Sequence, residues 1–384
     1  MGDSDMSKIE LIAPTLFGIE SVAAKEIRSL GYEGIKVEDG KVTFIGDISA
    51  ICKANMWIRS AERIYVKIGE FEVSTFDELF EGVRSLPWEE WIPENGQFPV
   101  DGYSLKSNLH SIPDCQSIIK KAVVERLKKK YKKEWFDENG PLYKIKFSLM
   151  KDKAVLMIDT SGEGLHKRGY RAMSNIAPLR ETLASAMIML SDWRYDRPLI
   201  DPFCGSGTIP IEAALIGANI AHGLNRKFTS EKWGQIPKKL WLDTRKEAHS
   251  LIKMDVELNI RGYDIDESAV KLSINNAHKA GVNQYVKFAK KPLKDLRTDD
   301  MYGILICNPP YGERMGEIQE VEKLYREMGR VFTSLNTWSY YIITSHENFE
   351  KLFGKKATKR RKLYNGMIKT TYYQYFGPRP PRKI

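Results

Sequence analysis

The stretch RPLIDPFCGSGTIPIEAALIGA (197–218) constrains the fold most. A short apolar run, Leu199 and Ile200, stops at Asp201. Glycines at 205 and 207 turn the chain, and a helical pattern begins at once. Parallel strands cannot be closed by a hairpin; they need a crossover, usually a helix. The pattern recurs downstream. RGYDID reads as a strand end and ESAVKLSINNAHKAGV as a helix; YVKFA and ILICNPPYGERM read as strands, the second running into a loop. VEKLYREMGRVFTSLN is a helix, and WSYYIITS and TTYYQYF are late strands. Such alternation predicts an α/β, doubly wound sheet that is mostly parallel. In such sheets ligands sit at the carboxyl ends of the strands.

The chain has 384 residues, more than one ordinary core holds. Residues 1–70 read as a small α+β unit: strand IELIAPTLFG, helix IESVAAKEIRSLG ending on Gly31, strand KVTFIG, helix ISAICKANMWIRSAER, strand IYVKIGEFEV. Residues 71–160 form a second unit. It holds the Ser/Thr-capped helix STFDELFEGVRSL, the strand FPVDGYSL, a long lysine-rich helix, and a hairpin turning at Lys151-Asp152-Lys153. Residues 161–384 carry the alternating pattern, entered through the basic, glycine-broken link SGEGLHKRGYR.

Several classes are excluded. No apolar run is long enough for a membrane span. The amino terminus lacks the basic-then-apolar pattern of a signal peptide. MGDSDMS matches a myristoylation pattern only superficially and reads as a leader. Cys52, Cys115, Cys204 and Cys307 are scattered without a CxxC pair, and the six histidines are dispersed. No metal site or disulfide framework is expected, and a reducing cytoplasm is the default. The net charge of +10 and pI near 9.1 favour a polyanionic partner such as nucleic acid.

Three ligands compete for the glycine loop. A phosphate-binding P-loop needs GxxxxGK[ST], but Thr208-Ile209-Pro210 follows Gly207. A dinucleotide fingerprint needs a third glycine where Pro210 stands. S-adenosylmethionine carries no phosphate, so acids at strand ends matter more than a phosphate nest. Asp201 is placed for its amino group, and the loop with Phe203, Gly205, Gly207 and Thr208 for close approach. Asp264 can accept both hydrogen bonds of a ribose diol. Asp266 is a neighbouring candidate, with an N-cap as its competing role. The long gap from Gly207 to Asp264 implies an elaboration at 217–255, holding Phe228, Trp233 and Trp241, that is either a packed extra helix pair or a substrate-facing flap.

NPPY (308–311) ends the next buried strand. Asn308 offers a side-chain carbonyl, and Pro309 a backbone carbonyl that Pro310 keeps out of a regular ladder. Two acceptors at fixed spacing can bind both hydrogens of an exocyclic amine and aim its lone pair at an incoming methyl group. Tyr311 offers a face for stacking the base. The chemistry is an in-line displacement governed by positioning, with no general base assigned.

These motifs together resemble a known family. GLHKRGYR, APLRETLASA, DPFCGSGTIPIEAA, GANIAHGLNRKF, GYDID, NPPYGERM and LYNGMIKTTYYQY are similar to the S-adenosylmethionine-dependent amino-methyltransferases of the N6-adenine/N2-guanine type. More narrowly, the chain resembles the THUMP-domain RNA guanine-N2 methyltransferases, and most closely the amino-terminal half of the bacterial bifunctional enzyme of large-subunit ribosomal RNA. The resemblance implies an α+β ferredoxin-like piece over 1–70, a THUMP RNA-binding domain over 71–160, and a Rossmann-like class I methyltransferase domain over 161–384. One departure stands out: Lys290, Lys291 and Pro292 occupy the stretch where many such enzymes place an acid for the adenine amine. Asp295 is the candidate substitute, and no residue is assigned to the adenine.

For the nucleic acid, the candidates are Lys128, Lys129 and Lys130 on the long helix, Lys167, Arg168 and Arg171 in the link, and Arg314 after NPPY. KKATKRRK (355–362) and PRPPRK are further basic stretches. The expected activity is N2-methylation of a guanine in ribosomal RNA, free or in an assembling large subunit. The alternatives are a transfer RNA guanine-N2 methyltransferase, a DNA adenine-N6 methylase, and a non-catalytic RNA-binding or ribosome-assembly factor.

Overall fold

A computed structural model describes residues 8–171, 179–312 and 315–381. The strands are β1 (Ile9–Pro14), β2 (Glu33–Glu38), β3 (Lys41–Gly46), β4 (Tyr65–Glu72), β5 (Val100–Leu105), β6 (Ile145–Met150), β7 (Lys153–Asp159), β8 (Leu199–Asp201), β9 (Ile260–Asp264), β10 (Val286–Lys290), β11 (Ile304–Cys307), β12 (Ser339–Thr344), β13 (Lys359–Asn365) and β14 (Ile368–Tyr375). The helices are α1 (Glu20–Ser29), α2 (Ile48–Trp57), α3 (Phe76–Ser85), α4 (Ile112–Tyr131), α5 (Glu181–Leu190), α6 (Thr208–Gly217), α7 (Lys238–Ser250), α8 (Glu267–Ala280), α9 (Met315–Thr333) and α10 (Phe349–Phe353).

Two compact units form. The first gathers the described residues up to Pro14, Ala24–Leu165 and Lys227–Lys246. Its seven-stranded sheet runs β2-β3-β1-β4-β7-β6-β5. All neighbours are antiparallel except β5 and β6. The local signals explain its elements. Thr75 and Glu78 close a reciprocal capping box at the start of α3. Lys151 and Asp152 both take positive φ, the twist a two-residue hairpin needs between β6 and β7. Helix α4 buries Cys115, Ile119, Ala122, Val123 and Leu127 along one face.

The insertion is packed into this unit. Trp233 stacks on Tyr143 with centroids 4.7 Å apart and donates to the Leu142 carbonyl at 2.9 Å. Phe228 stacks on Trp241 at 5.2 Å. With all three aromatics buried, 227–246 is the packed elaboration and not a substrate-facing flap.

The second unit gathers Thr15–Ala23, His166–Arg226 and the described residues from Glu247 onward. Its sheet runs β10-β9-β8-β11-β12-β14-β13. The first five are mutually parallel; β14 is antiparallel to both β12 and β13. Side chains alternate between two cores. Leu199, Ile304, Ile306, Tyr341 and Ile343 pack on one face with Leu183, Met187, Ile211 and Ala277. Ile200, Leu305, Cys307, Tyr340 and Ile342 pack on the other with Tyr325, Met328, Phe332 and Phe349. Burial on both faces is why these strands read as unbroken apolar runs. The chain leaves β8 toward β9 on one side and returns to β11 on the other, so the order reverses beside β8. That reversal opens a crevice at the strands' carboxyl ends.

Two strands had no sequence signal. β2 is mostly exposed, and β13 begins with Lys359-Arg360-Arg361-Lys362, the end of the basic stretch 355–362. Both are edge strands, where charge replaces the apolar pattern.

Candidate functional site

Three adjacent strands end in the residues singled out above: β8 in Asp201, β9 in Asp264, and β11 in Cys307, followed by Asn308. The glycine loop is tied down from several sides. The Cys204 amide donates to the Tyr263 carbonyl at 2.9 Å, and the Gly205 amide to Asp264 Oδ2 at 2.9 Å. Asn276 of α8 donates to the Ser206 carbonyl at 2.9 Å. Gly207 has φ +83°, and a Cβ there would lie 2.8 Å from Ser273 Cβ, so only glycine fits. Gly205 differs: it has φ +52°, but a Cβ there would meet nothing within 4 Å.

Asp201 is buried, and Oδ1 accepts from the Phe203 amide at 3.0 Å. Burial pushes its carboxyl well above the usual carboxylate range; the Phe203 amide pulls the other way and the Asp264 charge adds to the rise. A cation brought to this carboxylate would relieve that cost. Asp264 spends Oδ1 on the Asp266 amide at 3.0 Å and Oδ2 on Gly205, leaving lone pairs for a diol. The residues present therefore fit S-adenosylmethionine: a buried acid for its ammonium, a strand-end carboxylate for its ribose, and open space over Gly205. The positive end of α6 faces the same loop, which suits a carboxylate.

Other candidates take different places. Asp266 caps α8, accepting from the Ser268 amide at 2.8 Å and hydroxyl at 2.6 Å; these bonds hold its carboxyl below the usual range. Phe203 is half-buried against the second core. The Thr208 hydroxyl is held by Arg171 at 2.7 Å. Asp295 is exposed in a short 3-10 turn, and Lys291 lies over the Tyr263 ring at 4.5 Å. Among the described residues no three His, Cys, Asp or Glu side chains gather as a metal site.

NPPY is pinned by two hydroxyls. Tyr311 donates to Asn308 Oδ1 at 2.6 Å. Tyr325, buried in α9, donates to the Pro310 carbonyl at 2.7 Å and pairs with the Thr344 hydroxyl at 2.8 Å. Pro309 is buried and Pro310 exposed. Arg314 lies outside the described residues.

The basic link behaves differently from its expected nucleic-acid role. Arg168 is 6% exposed and is ion-paired with Glu212 of α6 at 3.4 Å, inside a cluster with Tyr170, Ser185 and His222. A guanidinium held this way faces the core and not a solvent-borne phosphate. Arg171 bonds Thr208 and the Leu179 carbonyl at 3.0 Å, bracing the first turn of α6. Lys167 is exposed, as are Lys129 and Lys130, whereas Lys128 is paired with Glu125 and Glu134.

Sequence reasoning missed Tyr325, Thr344 and Asn276. Asn276 left a trace, a polar residue on the same buried face of α8 as Val270, Ser273 and Ala277. Tyr325 left none, because a buried tyrosine in an amphipathic helix looks like any core aromatic.

Comparison with known proteins adds to this geometry. A family described as RMKL-like, methyltransferase domain, matches residues 168–374. An RlmL ferredoxin-like domain matches 10–65, and a THUMP domain 73–159. A Bacillus subtilis protein named "Putative RNA methyltransferase YpsC" is 53% identical over 98% of this chain and 99% of its own length. The ribosomal RNA large subunit methyltransferase K/L of Syntrophotalea carbinolica is 32% identical over 94% of this chain. The match covers 52% of that enzyme, so the chain spans about half its length. The solved structure of SMU.472, complexed with SAH, superposes with TM-score 0.93 at 46% identity, covering 97% of this chain and 99% of that one. A Listeria monocytogenes protein described as a predicted N6-adenine-specific DNA methylase gives TM-score 0.93 at 50% identity, covering 97% of each chain.

Proposed function

The chain belongs to the RMKL-like methyltransferase family and takes S-adenosylmethionine as its cofactor, and we propose that it methylates the exocyclic N2 amine of a guanine in large-subunit ribosomal RNA. The observation that carries the reading is Asn308-Pro309-Pro310-Tyr311, pinned at the end of β11 beside the cofactor strand β8. The THUMP-containing unit and the names of the K/L relatives favour RNA over DNA.

The bound cofactor supplies an electrophilic methyl group on a sulfonium. Asp264 holds the ribose and Asp201 the ammonium. Asn308 Oδ1 and the Pro309 carbonyl accept hydrogen bonds from the two amine N–H groups, which turns the nitrogen lone pair out of the base plane. The Tyr311 hydroxyl now sits on that Asn308 oxygen, so an entering amine takes its place and the ring becomes available to stack. Positioning supplies the rate: the nitrogen's bond to the methyl carbon would form as the carbon–sulfur bond breaks, and the surplus amine proton then passes to water. A base in a helix must first be flipped out, at a cost of about a few kcal/mol. The amino-terminal unit, which carries the exposed lysines at the end of α4, holds the RNA meanwhile.

Labelled S-adenosylmethionine offered with unmodified large-subunit rRNA, unmodified tRNA and duplex DNA, followed by nucleoside mass spectrometry, tests this. N2-methylguanosine in rRNA is expected. N2-methylguanosine in tRNA alone would move the substrate, and N6-methyladenine in DNA would overturn both base and polymer.

A further inference from the structure

Trp135 is 79% exposed. Of the eight tryptophans, the other seven are buried or half-buried. Its loop is anchored. Phe136 is buried, packing edge-on against Phe98 and Tyr131 at 6.3 Å each. Glu138 accepts from the Phe98 amide at 3.1 Å and pairs with Lys120, and the Gly140 amide donates to the Asn95 carbonyl at 2.7 Å. The indole is therefore presented from a backbone held on its carboxyl side by Phe136, Glu138 and Gly140.

The charges beside it divide into two sets. Lys128 is paired with Glu125 and Glu134, and Lys133 with Glu94. Lys129, Lys130 and Lys132 are exposed and in no ion pair among the described residues. Lys132 ends α4 with φ +55°. Three exposed lysines within six residues of one bare aromatic face match a single strand, whose bases stack while its phosphates meet lysine. A duplex hides its base faces and would leave the indole unused.

We propose that the loop following α4 binds unpaired nucleotides of the RNA, with one base stacked on Trp135 and the backbone carried by Lys129, Lys130 and Lys132. This rests on the RNA reading above and adds the site and the strand state to it.

Trp135 is also its own probe, since its exposed indole emits to the red of the buried ones. The full chain is titrated with a short oligouridylate and with a blunt RNA duplex of equal length. Oligouridylate quenches the red-edge emission and the duplex does not. Trp135→Ala binds oligouridylate about five- to a hundredfold more weakly, the span that stacking on one aromatic ring supports. Trp135→Phe keeps most of the affinity and loses the quench. Substituting Lys129, Lys130 and Lys132 by Gln lowers the slope of log affinity against log salt by about 0.7 for each phosphate that is no longer neutralised. Equal oligouridylate affinity in the parent and Trp135→Ala would overturn the site. It would leave the RNA reading standing if both still bind rRNA. An absence of binding to any RNA by the parent would overturn both.

Discussion

The Tyr325 hydroxyl donates to the Pro310 carbonyl at 2.7 Å. The consequence lies one peptide upstream. Pro310 has its φ locked by its ring. With the Pro310 carbonyl anchored, the preceding peptide unit, which carries the Pro309 carbonyl, is left almost no freedom. Tyr325 thereby aims one of the two acceptors proposed for the amine without touching substrate. Tyr325→Phe should lower kcat about ten- to a hundredfold, the scale for a slight misplacement of reacting groups. Affinity for S-adenosylhomocysteine should stay at the parental value. An unchanged kcat would remove this role.

Asn308 and Asp264 are expected to separate by readout. Asn308→Ala should abolish methyl transfer while calorimetry still finds parental cofactor affinity. Asp264→Ala should weaken the cofactor, because it loses both the strand-end carboxylate and the bond to the Gly205 amide. Equal loss of cofactor affinity in the two variants would sink the assignment.

The two loop glycines make a sharper pair. Gly205→Ala meets open space, so it should cost only the roughly 1–2 kcal/mol of a left-handed alanine. It should nevertheless block cofactor binding if that space is the cofactor's. Gly207→Ala drives a Cβ into Ser273 and Phe288 and should lower the melting temperature clearly more. Thermal melts with and without S-adenosylhomocysteine distinguish them.

Asp201 predicts a pH effect with a definite sign. Its carboxyl binds a proton more tightly in the folded state than in the unfolded one, because burial raises its pKa. That contribution to stability is full below the ordinary carboxylate range and is lost as pH rises through the raised value. Asp201→Asn should remove this slope, so the variant gains on the parent as pH rises. Urea unfolding across pH measures it, and parallel curves for the two proteins would refute it.

Arg168 and Glu212 predict a stability effect without a direct RNA effect. Glu212→Ala strands a buried guanidinium and should cost about 3–5 kcal/mol. Urea unfolding checks it; a cost under about 1 kcal/mol would mean the pair is not the anchor of the link.

Much of the site was legible because it is local. Strand ends, the glycine turn and the proline pair announce themselves within a few residues, through apolar runs and turn chemistry. The capping box at Thr75 and the hairpin at Lys151-Asp152 were readable for the same reason. Arg168 was not. Its partner stands 44 positions away, and a basic link looks alike in sequence whether its arginines face water or a buried glutamate.

Residue order alone specified the alternation of strands and helices, the acids and the amide at the strand ends, and the family. Period and turn chemistry are properties of neighbouring residues, so no fold is needed to see them. Only the folded chain settled which charges are spent and which are free, that 227–246 packs with the first unit, and that a tyrosine from α9 holds the Pro310 carbonyl. Each depends on residues far apart in the chain meeting within hydrogen-bond distance, as the Gly205 amide meets Asp264 across 59 positions.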